Sequence, residues 1–201
     1  VAIHAIGDRA MDMVLDGIQK AKEAYHRKDE RHGIIHCQIT HHEQLDRMKA
    51  MDLLAYIQPI FLNYDISIVE ERVGPERAST SYNWKEFLDK GIPIAGGSDC
   101  PVESLNVMEN IYTAVLRNTL KGPPLQGWRS EPRISVEEAV KSFTVNGAYA
   151  SFEEARKGSI TPGKAADFVI LSEDIFTIDP ERIKGVQVEA TYLDGTLAYH
   201  N

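Results

Sequence analysis

The 201 residues are 43% hydrophobic and 26% charged, ordinary globular proportions that exclude a fibrous or disordered chain. A formal net charge of -8, with Lys and Arg scattered among acids, leaves no basic footprint for nucleic acid or anionic lipid and points to a small-molecule partner. No apolar run reaches the roughly 18 residues of a membrane span, no signal-peptide pattern opens the chain, and Cys37 and Cys100 stand far apart, which fits a reducing cytoplasm.

The chain starts at Val1 inside a strand-like run and without methionine, as a piece of a longer polypeptide would. Val1 to Ile6 is the first expected strand, and Met11, Val14, Leu15 and Ile18 then recur at helical spacing up to about Tyr25. A charged connection leads to a second strand, Gly33 to Gln38, and Thr40 with Glu43 forms a capping-box pattern before a helix carrying Leu45, Met48 and Met51. The third strand is expected over Leu53 to Leu62, with pairing weakened near Pro59. The mixed segment from Asn63 to Asn83 is too long to be a mere connector, and a short helix with Trp84, Phe87 and Leu88 precedes a fourth strand, Pro93 to Ser98. Val107 to Leu116 has helical spacing, GPPLQGWRS (122 to 130) is a loop, and Ser135 with Glu138 caps a helix whose apolar side is Ala139, Val140, Phe143 and Ala148. From Gly158 the pattern turns to short β segments, with Asp194 and Gly195 as a hairpin turn.

Four strands alternating with helices every ~30 residues match half of a (β/α)₈ barrel, in which ~250 residues divide among eight units. The expected fold is therefore α/β: a half-barrel over residues 1–155, followed by a small β domain over 156–201.

Three of the strands end in a side chain able to bind metal: His4 in VAIHAIGD, His36 in GIIHCQ, and Asp99 in IPIAGGSDCPV. Imidazole and carboxylate suit zinc or a similar divalent ion, and the carboxyl ends of parallel strands are where such folds place their chemistry. Singly, each is as well explained by a hydrogen bond within a turn; together they favour a metal or catalytic site. Asp8 and Arg9, just past His4, are candidates for substrate contact, although Asp8 also suits a helix start. Tyr64 and Tyr82, with Trp128 and Arg129, lie in the segments after the third and fourth strands, where they either shape a substrate pocket or pack those segments onto the barrel. Cys37 and Cys100 lack a Cys-x-x-Cys pairing and are expected to pack as buried side chains, while His26, His32, His41 and His42 are expected on the solvated surface.

HAIGDRA (4 to 10), HCQ (36 to 38), GGSDCPV (96 to 102) and GSITPGKAADFVIL (158 to 171), in that order, resemble the carboxyl-terminal half of the amidohydrolase superfamily, and most closely its amidohydrolase-3, YtcJ-like branch of metal-dependent hydrolases. The resemblance implies that the four strands are the fifth to eighth of a TIM-type barrel and that the tail is part of a β-sandwich. It implies His4 and His36 as metal ligands, Asp99 as ligand and general acid/base, and hydrolysis of an amide-type C–N bond of a small molecule. The family's first-strand His-x-His pair and its fourth-strand bridging ligand have no counterpart here, and Ile35 stands where the family commonly has Glu. A non-catalytic half-barrel that self-associates, or pairs with an absent amino-terminal half, is the alternative expectation, since a half-barrel exposes sheet edges and apolar surface.

Overall fold

The computed structural model describes residues 1–25, 27–121, 128–129 and 131–201, so His26, the GPPLQG part of the expected loop and Ser130 lie outside the described residues. Four short parallel strands, β1 (Ala2–Ala5), β2 (Gly33–His36), β3 (Leu54–Ile57) and β4 (Ile94–Gly96), form one sheet in the order β1-β2-β3-β4. Each βα unit thus lies beside its chain neighbour, as the alternating pattern requires. The first two connections carry α1 (Asp8–Ala24) and α2 (His42–Ala50). In α1 the buried residues are Met11, Leu15 and Ile18, an i, i+4, i+7 stripe that closes over the sheet.

Strand register explains the two faces. Ile34, Ala55 and Ile94 fall in one row and are fully buried beneath helices. The neighbouring row holds His4, Ile35, Tyr56 and Ala95, so its polar groups stand on the opposite face. Burying one such aliphatic side chain contributes ~1.5–3 kcal/mol, which makes a one-residue slip of register costly.

The third strand stops at Ile57, five residues earlier than expected. Past Pro59 the chain turns into α3 (Phe61–Asp65), and the long mixed segment is completed by α4 (Val69–Ser79), which is broken at Gly74 and Pro75, and by α5 (Trp84–Asp89). Proline has no ladder donor, so helix replaces strand here. The expected Thr40–Glu43 box also moves by one register: the cap is His41, whose backbone N–H is accepted by Gln44 Oε1 at 3.2 Å. Thr40 is occupied elsewhere, exchanging hydroxyl-to-carbonyl bonds with Thr80.

After β4 come α6 (Val107–Leu116), α7 (Val136–Phe143) and α8 (Val145–Ala150). Ser135 caps α7 with Glu138 as the sequence indicates, the two bonds measuring 3.1 and 2.7 Å. The helix ends at Phe143, and Ala148 belongs to α8 rather than to one continuous helix, because Thr144 breaks the run. An antiparallel sheet of β5 (Phe168–Leu171), β6 (Val188–Leu193) and β7 (Thr196–His200) follows. The segment preceding β6 is fastened to α6: Tyr112 donates to Glu181 at 3.1 Å, and Ile175, Ile183 and Val186 join the main core.

Arg31 ties the start of β2 to the end of α8. Its guanidinium lies between the rings of Tyr149 and Phe152, at 3.9 and 4.2 Å, and pairs with Asp29 and Glu154.

Candidate metal centre

β1 and β2 are adjacent and parallel, so His4 and His36 arrive side by side at their carboxyl ends. Their ring centroids are 4.6 Å apart with planes at 76°, edge to face. His36 closes β2, in the register row of Ala5, but its backbone leaves the strand at φ +79°, and Cys37 follows at φ +50°. Left-handed conformation is uncommon outside glycine and concentrates where a site over-determines the backbone. Asp99 likewise sits at φ +57° in the turn past β4 and is exposed.

The electrostatics favour neutral imidazole at His36. It is only 6% exposed, and burial, followed by the nearby His4, pushes its pKa down, while Asp99 pulls the other way. A neutral ring is the form that ligates metal, so the donor set of His4, His36 and Asp99 has the right chemistry for a divalent ion. Yet one strand separates β2 from β4, and among the described residues no three His, Cys, Asp or Glu side chains gather closely enough to hold a metal ion. The two histidines are brought together; Asp99 reaches them only through its charge.

The remaining candidates divide. Asp8 opens α1, and Arg77 of α4 pairs with its carboxylate, holding it below the usual range. Arg9 is exposed on α1, and Tyr64 is exposed on α3. Tyr82 is taken into the core, and Trp128 is partly buried against it. Tyr82 is 2% exposed, donates its hydroxyl to Asp65 and packs edge-on to Trp84. Trp128 packs against the core 5.1 Å from the Arg117 guanidinium, and Arg129 pairs with Glu70 at 2.7 Å. These aromatics pack the segments onto the sheet. Cys37 is buried as expected, but Cys100 is exposed, and His32 is partly buried rather than fully solvated.

Sequence reasoning passed over Gln58, Arg77 and Arg117. Gln58 is buried beside His36 and Arg77 holds Asp8, while Arg117, wholly buried, donates to the carbonyls of Tyr82 and Trp128. The one signal available was Gln58 following directly on an apolar strand.

A model of the Amidohydrolase family matches residues 1–199. The chain is 35% identical over 199 residues to the putative amidohydrolase YtcJ of Bacillus subtilis (strain 168), covering 99% of this chain and 37% of that protein. It is 30% identical over 204 residues to the N-substituted formamide deformylase of Arthrobacter pascens, covering 99% and 36%. Among solved structures, an uncharacterised metal-dependent hydrolase from Pyrococcus horikoshii OT3 superposes with a TM-score of 0.76 at 27% identity, over 90% of this chain and 35% of that one. The chain spans little over a third of the length of the curated relatives it matches. With helices packed on a parallel sheet, paired histidines at its strand ends and a family match along nearly its whole length, the chain belongs to the amidohydrolase family, in the amidohydrolase-3 branch.

Proposed function

We propose that this chain is the carboxyl-terminal half of a metal-dependent hydrolase acting on an amide-type C–N bond of a small molecule. In that protein β1 to β4 are the last four strands of a TIM-type barrel, residues 1–155 are catalytic, and residues 156–201 belong to a β-sandwich. One observation carries the proposal: His4 and His36 meet ring to ring at the carboxyl ends of neighbouring parallel strands, with the Asp99 charge acting on His36. Relatives of related chemistry support it, since imidazolonepropionases and a 5-methylthioadenosine/S-adenosylhomocysteine deaminase also match.

His4, His36 and Asp99 would hold a divalent ion, zinc by preference, with further ligands supplied by the rest of the protein. When bound, such an ion lowers the pKa of a water and polarises a carbonyl. Asp99, exposed at the mouth, accepts the proton of the attacking water and returns it to the departing amine. Of the other candidates, Asp8, Arg9 and Tyr64 would be the ones to contact substrate. A cytoplasmic setting accords with two free cysteines. The test uses the full-length protein, elemental analysis for metal, and a panel of N-substituted amides. Asp99→Asn should retain metal and lose turnover; near-normal turnover would sink the assignment.

A second proposal, a non-catalytic chain that pairs with a copy of itself or with the rest of a barrel, draws on the β1 edge. Among the described residues β1 pairs only with β2, and Val1, Ile3, Ile6 and Met13 are exposed there. A metal-free dimer of the isolated chain by solution mass would favour it, and stoichiometric metal with turnover would reject it.

A further inference from the structure

The buried end of β3 holds a polar side chain with unused capacity. Gln58 is 7% exposed, and its amide nitrogen donates to the Tyr56 carbonyl at 3.2 Å. That bond fixes which way the amide faces, because the reverse would set two acceptors against each other. Its Oε1 is therefore an acceptor, and it is buried with no hydrogen-bond partner. His36 Nδ1 is in the same condition. β2 and β3 pair Ile35 with Tyr56, so His36 stands alongside Ile57, and Gln58 is one residue further on. Gln58 is near enough to the His36 ring to raise its pKa, as an acceptor does, although neither Oε1 nor Nδ1 completes a hydrogen bond. A buried donor and a buried acceptor are each costly alone and satisfied together. The rings of His4 and Phe61 also border His36, the latter with its centroid 5.7 Å away.

We propose that Gln58 is a positioning residue for His36, its Oε1 accepting the Nδ1 proton and so fixing the tautomer that leaves Nε2 free as the ligating atom. The contact stands on this chain's own geometry; its effect on metal rests on the function proposed above. Side chains that hold the second nitrogen of a ligating histidine orient the ring and raise its affinity for metal.

The full-length protein, labelled with ¹⁵N-histidine and stripped of metal, is read by long-range ¹H–¹⁵N correlation, with His36 assigned by the signals that His36→Gln removes. The proton should lie on Nδ1 in the natural protein and in Gln58→Glu, which keeps an acceptor oxygen. In Gln58→Leu and Gln58→Met the tautomer should become mixed or reversed, with Zn²⁺ affinity by chelator competition about 10- to 100-fold weaker. A proton on Nε2 in the natural protein, or an unchanged tautomer in both Leu and Met variants, overturns the proposal whether or not metal binds. A natural protein that binds no metal, yet whose Nδ1 tautomer moves on substitution, supports the contact and overturns the metal-centre reading.

Discussion

Gly96 is the last residue of β4 and the first of the GGSD turn, and its lack of a side chain has a measurable use. A methyl group placed on it would meet three carbons of the Phe143 ring at 2.6, 2.7 and 2.9 Å. Ordinary carbon contact is ~3.5–4.0 Å, so the α7 ring must retreat by about 1 Å or leave its rotamer. Phe143 is only half-buried and borders an open groove with Gly147 and Leu171, so the ring has somewhere to go. That places the cost of Gly96→Ala at about 1–2 kcal/mol, in the lower part of the range for overpacking. Phe143→Leu alone should cost ~1 kcal/mol through lost burial. In the double variant the clash is gone, and the two costs should fall short of their sum by ~1 kcal/mol or more. Urea denaturation of the four proteins at constant m-value measures this. Additivity within ~0.5 kcal/mol would show that Gly96 is not held glycine by the α7 ring, and the reasoning would fail.

Three further outcomes are expected. The Arg31 guanidinium holds Glu154 down to about 2, well below its unfolded value, so the pair stabilises the fold above the ordinary carboxylate range and the contribution is lost as pH falls through about 2. Acid unfolding followed by circular dichroism should accordingly begin at higher pH in Glu154→Gln than in the natural protein, and coincident curves would count against the clamp. Burial pushes the Cys37 thiol up while Cys100 is exposed, so a thiol reagent should modify Cys100 quickly and Cys37 only on unfolding. Loss of the fast phase in Cys100→Ser checks this, and a persistent fast phase would contradict it. Replacing Arg77 with Gln should leave the fold intact and speed limited proteolysis near Gly74, since the Asp8 carboxylate anchors that half of α4; unchanged cleavage would show that the small apolar cluster of Ile39, Val69 and Ala78 suffices.

Much of the sheet was legible because each strand carries its own apolar run and each intervening helix its own stripe; Met11, Leu15 and Ile18 are buried as their spacing indicates. What escaped was decided by partners far along the chain. Thr40 and Ser135 open equally good capping patterns, but only Ser135 is free to cap, because Thr40 is claimed by Thr80. Tyr82 sits in a stretch without periodicity, and nothing local foretells its burial under Trp84 and Arg117. The histidine pair was legible because both rings lie at the carboxyl end of a strand, and the strands proved to be neighbours. Gln58 was not, because its role depends on lateral register across two strands separated by a helix.

The left-handed backbone at His36, Cys37 and Asp99 limits which replacements at the site are informative. Asparagine and aspartate enter that region at little expense, whereas valine, isoleucine or threonine would be forced out of it by their branched Cβ. Asp99→Asn is thus a chemical substitution on an unchanged main chain, and a lost activity there speaks about the carboxylate. A β-branched residue at either ligand position would instead reshape the turn, and its phenotype would report on conformation as much as on coordination.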